Sequence, residues 1–317
     1  MAQMWGILVT AGYVPPEATI VAKTPDHVMA NAREATIEAW MQDALSLMEK
    51  TLRPQLATLV THQVLVIDGW DDSKEVRMAI ARYLVGLRMC AIDAGLAIRA
   101  ELAGTAKGKA EVIATINQII GDKPGALSAD EIAKRRNPWI AEGIWHLCMA
   151  VAQKKAACHP PGEVVALNLP HSIPSEQGLD LAVLYRGRKG YGLSIIETKA
   201  YPKNVANAMS RSTQFFREVD DGRHSMRLRQ ITSVLRNQLP KKEQGKVSLC
   251  LWQQRRVYIP NPHYDRSAAV AWSNPRASLG KLVPGANGVI VMPHGIDSFS
   301  AFFGHIAAGM RAAAKSL

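Results

Sequence analysis

The stretch from Gly178 to Lys199 constrains this chain of 317 residues more than any other. Leu181-Ala-Val-Leu-Tyr185 and Tyr191-Gly-Leu-Ser-Ile-Ile196 are short apolar runs, joined by the basic, glycine-bearing segment Arg186-Gly-Arg-Lys-Gly190. Two such runs around a glycine turn predict an antiparallel hairpin. Folding about Arg188-Lys189 sets Asp180 opposite Glu197. Alternation then puts Glu197 and Lys199 on the face that carries Leu193 and Ile195. Two carboxylates and an ammonium gather at one end of the hairpin, an arrangement suited to a divalent metal ion. The plainer alternative is a salt-bridged strand end in which Asp180 is an ordinary turn residue.

The charge around this hairpin narrows the class of partner. Residues 1–130 hold 12 Lys/Arg against 15 Asp/Glu, whereas residues 131–317 hold 26 against 12. The basic excess lies wholly in the part with the hairpin, which suits a polyanion because neutralised phosphates release counterions. A merely solubilising basic surface is the competing explanation. Four scattered cysteines (Cys90, Cys148, Cys158, Cys250) form no Cys-x-x-Cys pair, so neither a disulfide framework nor a zinc knuckle is expected. The opening residues lack a basic leader with a long apolar run, and Arg88, Asp93 and Arg99 break up the apolar stretch Leu84–Ala100. A soluble cytoplasmic protein with no membrane span is expected.

Along the chain, Trp5–Thr10 predicts a short strand and residues 27–51 an amphipathic helix. Strands are expected near Leu56–Thr61 and Val64–Ile67, then a helix from Lys74, capped by Ser73, towards Leu102. A break at Gly104–Gly108 and a helix over about 110–120 follow, ending at the turn Gly121-Asp-Lys-Pro-Gly125. The charge balance changes here, which divides the chain into a mainly helical α+β N-terminal domain (1–125, for recognition or partner binding) and a second domain (126–317). Ser128-Ala-Asp-Glu131 reads as a capping box, and Pro138 separates a first helical piece from a nearly all-apolar second one. Glu142 is the one carboxylate of that second piece, and burying it calls for a cation, either a metal ion or an arginine. Glu163–Leu169 reads as a strand, Asn204–Val219 and Ser225–Leu239 as helices, Lys246–Trp252, Arg256–Pro260 and Gly288–Met292 as strands, and Ser298–Lys315 as a closing helix. The sum is an α/β core with a mixed sheet.

Gly178-Leu-Asp180 at a strand start, a hairpin, and an apolar strand ending Glu197-Thr-Lys199 together resemble the PD-(D/E)XK nuclease superfamily. The resemblance covers about residues 128–220, with Leu179 standing where the pattern's name has proline. It implies a restriction-endonuclease-like mixed sheet flanked by helices, with Asp180 and Glu197 as metal ligands and Lys199 as the third catalytic group. It further implies Glu142 as an additional ligand from the preceding helix and Gln214 as a polar catalytic residue on the following one. The cofactor would be Mg²⁺, with Mn²⁺ as a substitute, and the substrate nucleic acid, DNA ahead of RNA. Glu197-Thr-Lys-Ala-Tyr201 followed by a helix is also similar to nuclease subunits of bacterial antiviral systems that work with a helicase, such as Hachiman. The chemistry agrees, since phosphodiester hydrolysis needs activated water and neutralised phosphate charge. A non-catalytic nucleic-acid-binding or assembly module on the same fold is the alternative.

Other chemistries find less footing. The sequence has no Gly-x-x-x-x-Gly-Lys-Ser/Thr phosphate loop and no Gly-x-Ser-x-Gly elbow. Cys158-His159 and His171 lack zinc-site spacing, and His62 reads as a core or surface histidine. Arg223, Arg227, Arg229, Arg236, Lys241 and Lys242 can track a phosphate backbone or simply form a solvated face.

Overall fold

The computed structural model describes residues 25–70, 73–92, 98–100, 108–170 and 179–317. The expected strand at Trp5–Thr10, all of the break at Gly104–Gly108 but its last residue, His171 and Gly178 lie outside them. The hairpin forms β6 (Leu181–Gly187) and β7 (Gly190–Ala200), with Gly187 opposite Gly190 and Leu181 opposite Ile196. This is the expected register, turning at Arg188-Lys189; Gly190 takes the positive φ that closes so tight a turn. β5 (Glu163–Leu167) pairs antiparallel with the outer side of β6. On the other side β8 (Arg256–Asp265) runs parallel to β7, and β10 (His294–Ile296) runs parallel to β8. The five-stranded mixed sheet therefore has the order β10-β8-β7-β6-β5.

The longer helices are α1 (Pro25–Thr51), α2 (Lys74–Met89), α3 (Gly108–Ile120), α4 (Asn137–Ala152), α5 (Val205–Asp220), α6 (Ser225–Asn237) and α7 (Phe299–Ser316). Strand alternation sorts them into two layers. Leu181, Val183 and Ile196 face a core built with α1, α2, α3, α4 and α7, through residues such as Met41, Leu84, Ile116, Trp145 and Phe303. Ala182, Leu184, Leu193 and Ile195 face the other core, with Phe216 of α5 and Leu228 and Leu235 of α6. α4 follows the expected capping box, in which Ser128 Oγ accepts from Glu131 N at 3.2 Å and Ser128 N donates to Glu131 Oε2 at 2.9 Å. A single π turn over Ile132–Arg136 then leads into α4, with Pro138 in its first turn.

A smaller three-stranded sheet holds β1 (Arg53–Thr58), β2 (Gln63–Asp68) and β9 (Ile290–Val291); β1 is antiparallel and β9 parallel to β2. The turn expected at Gly121–Gly125 is present, with both glycines at positive φ, yet packing crosses it. Residues from both sides of position 125 share one apolar cluster, and β2 pairs with β9 across it.

Three expectations of element type or extent are corrected. α2 stops at Met89 rather than near Leu102, and β3 (Cys90–Ile92) then pairs antiparallel with β4 (Ile98–Ala100). Lys246–Trp252 is a set of turns leading into a short helix, Leu251–Gln254, because Ser248 Oγ accepts from Cys250 N at 3.2 Å and closes the backbone on itself. β8 does not end at Pro260, since its pairing with β7 continues through Ala200 and His263.

Candidate functional site

Asp180 stands immediately before β6, and Glu197 and Lys199 occupy the last turn of alternation in β7. Hydrogen bonds hold the two strand ends together there. Asp180 Oδ2 accepts from Thr198 N at 2.7 Å, and on the β5 side Asn168 accepts from Ala182 N through its side chain. A carboxylate that receives a backbone N–H in this way has its rotamer fixed. Lys199 Nζ reaches both acids: it donates to Glu197 Oε1 and lies 3.8 Å from Asp180 Oδ2.

The two acids are buried and Lys199 is half-buried. Asp180 is 8% exposed and Glu197 4%. Burial, then the charges of Asp180 and Glu142, raise the Glu197 carboxyl well above the ordinary glutamate range, against the pull of Lys199. Burial alone would lower the Lys199 ammonium, but Asp180 and then Glu197 outweigh it and hold its pKa above the usual lysine value. Lys199 is therefore a fixed cation.

Glu142 is 8% exposed on α4, in the layer behind the opposite face of the sheet from Ala182 and Ile195. Its charge is felt at Glu197 and Lys199. Among the described residues, however, no three His, Cys, Asp or Glu side chains converge on a common metal position. The structure thus brings Asp180, Glu197 and Lys199 into contact and sets Glu142 close by without completing a three-carboxylate cage. Gln214 is on the exposed side of α5, where its amide donates to Glu218 Oε1 at 3.3 Å rather than to the acidic cluster. One feature of the residues present does fit a cation: Glu197 Oε2 is buried with no hydrogen-bond partner. An unmet buried carboxylate oxygen is costly, and an ion coordinated through Asp180 and Glu197 would satisfy it.

Sequence reasoning missed a polar row beside this cluster. Along the parallel strands, Ala200 pairs with His263 and His263 with His294. His263 Nε2 bonds Asn261 Oδ1 at 3.0 Å, His294 Nδ1 lies 3.1 Å from His263 Nδ1, and Asn261 also donates to Met292 O. Pro260 and Pro262 flank Asn261, which hides the strand and with it the alternation that aligns these side chains. Compared with models of protein families, with curated proteins and with solved structures, the chain matches none.

Proposed function

We propose that this chain is a metal-dependent nuclease that hydrolyses phosphodiester bonds, most simply as a DNA endonuclease, on a restriction-endonuclease-like core. The observation that carries the reading is the contact of the Lys199 ammonium with two buried carboxylates, Asp180 and Glu197, at the register-matched ends of β6 and β7. Salt-bridged surface strands do not bury their acids to this extent. The helix–hairpin–helix–parallel strand order around the cluster supports the same reading, as does the basic excess of residues 131–317.

Asp180 and Glu197 would hold Mg²⁺, or Mn²⁺ in its place, with Glu142 adding negative charge from α4. Such an ion supplies Lewis-acid activation of water and phosphate. Thr198 N keeps Asp180 aimed at the site. Lys199, held protonated, cannot serve as a general base; it stabilises the negative charge that develops on the phosphate and orients the attacking water. Among the described residues no three carboxylates converge, which favours one further reading, a non-catalytic nucleic-acid-binding or assembly module. A helicase partner in antiviral defence is compatible with either reading.

The test is purified protein with plasmid and with single-stranded DNA, in Mg²⁺ and in Mn²⁺, beside Lys199→Ala. Wild type is expected to cut, and the variant to lose roughly a hundredfold or more of the rate, as when one preorganised charge-stabilising donor is removed. The nuclease reading falls if wild type leaves both substrates intact or if the variant cuts equally well.

A further inference from the structure

A concavity lies at the same end of the sheet as the acidic cluster, beyond the C-terminal ends of the parallel strands. Its volume is about 490 Å³, and Trp70, Tyr264, Trp272, His294, Arg266 and Asp68 contribute to its wall. Such a volume suits one small planar ligand. The residues come from segments distant in sequence: Trp70 follows β2, Trp272 follows β8, and His294 opens β10. Pairing of β2 with β9, and of β8 with β10, brings them together. The rings are braced rather than loose. Trp272 Nε1 donates to Tyr264 Oη at 2.8 Å, and the Arg276 guanidinium lies 5.1 Å from the Trp272 ring centre. Trp70 packs 5.7 Å from the His294 ring, and its own indole N–H is buried without an acceptor.

The charge of this wall decides what it recognises. Among the described residues Arg266 is its one arginine or lysine, and Asp68 and Asp297 both line the cavity. Arg266 is already shared with Asp297 at 3.3 Å, so a phosphate has little to attract it here. Aromatic faces with both a carboxylate and a guanidinium at hand instead match a nucleobase, which offers a π face together with donors and acceptors on its edge. Position along the edge agrees. From Ala200, next to Lys199, the row through His263 to His294 crosses two inter-strand spacings, about 10 Å, or roughly three stacked nucleotides at 3.4 Å each.

We infer that this cavity holds one unpaired base of a single strand whose backbone passes Asp180, Glu197 and Lys199. The inference rests on the nuclease reading for the strand's path, and its test is independent of cutting. A short fluorescein-labelled single-stranded DNA is titrated with the full chain in EDTA and followed by anisotropy. Trp272→Ala is expected to weaken binding on the order of tenfold, Trp272→Phe to keep most of it, and Arg266→Ala, at an exposed residue, to weaken it without touching the core. Replacing single nucleotides by abasic sites should reproduce the loss at one position in wild type and add nothing further in Trp272→Ala. Variants that bind like wild type, or an abasic series with no sensitive position, overturn the base slot. Plasmid cleavage lost only in Lys199→Ala, alongside such a flat series, would keep the nuclease and remove the slot; intact base binding with no cleavage would do the reverse.

Discussion

Burial and charge pull in opposite directions on Glu197 and Lys199, and this opposition makes a prediction at the level of single residues. The folded protein holds the Glu197 carboxyl well above its ordinary value, chiefly through burial. Below the ordinary glutamate pKa, folded and unfolded chains both carry the proton and the shift costs nothing. As the pH rises past that value the unfolded chain releases its proton first, so stability is lost. Glutamine carries no such penalty, and Lys199 keeps Asp180 at 3.8 Å in its place. Glu197→Gln should therefore melt higher than wild type near about pH 8, with the advantage shrinking towards about pH 4. Cleavage in Mg²⁺ should be abolished at both. Thermal melts across that range decide it, and a variant that melts lower at the alkaline end would mean that the Glu197–Lys199 pair is net stabilising. An acid retained at a cost in stability is what a working site requires.

Between elements, α4 packs tightly on α2 at Gly143. A Cβ placed there would fall 2.2 Å from Leu84 Cδ2, itself fully buried. Alanine gains about 1 kcal/mol of helix preference, but overpacking a filled core costs about 1–3 kcal/mol. Gly143→Ala is expected to lower stability by about 1 kcal/mol in urea titration, and to slow cleavage if it displaces Glu142, one residue earlier on α4. The hairpin register was legible in sequence because turn length and alternation fix it together, and Ser128 with Glu131 marked the start of the helical run for an equally local reason. Other features had no local signal. The apolar run Val247–Trp252 is too short to tell strand from turn, and only the Ser248 side chain decides it. That Glu142 approaches from the opposite layer depends on which sheet face α4 covers, which no window of sequence contains. Nor could Trp70 and His294 be associated before β2 was known to pair with β9.

Across the whole molecule, the distribution of buried histidines sets an acid limit. His146 bonds Tyr83 Oη at 3.0 Å between α4 and α2, and His159 bonds Ser194 Oγ at 2.9 Å against β7. His263 and His294 share the polar row with Asn261. Burial lowers all four: His146 and His294 to about 3, His159 to about 4, and His263 well below the ordinary value. A depressed pKa stabilises the fold above the unfolded value, near 6.5, and that contribution is lost as the pH falls. Each histidine then withdraws about 1.4 kcal/mol per pH unit, so these four together withdraw about 5 kcal/mol per unit, against a typical total of about 5–15 kcal/mol; His62, also lowered by burial, adds to this slope and the raised Glu197 opposes it. The protein should hold its stability from about pH 8 to 6.5 and unfold cooperatively between about pH 6 and 4. Glu131, Glu243 and Asp265 are exposed carboxylates lowered by local hydrogen bonds, so whatever they contribute is lost only as the pH falls past the ordinary carboxylate value, at the acid end of that window. Urea midpoints followed by circular dichroism at half-unit steps give the measurement. A flat midpoint from about pH 6.5 to 5 would mean that these imidazoles gain protons without leaving the core, and His146→Gln should shallow the slope by about a quarter if they act independently.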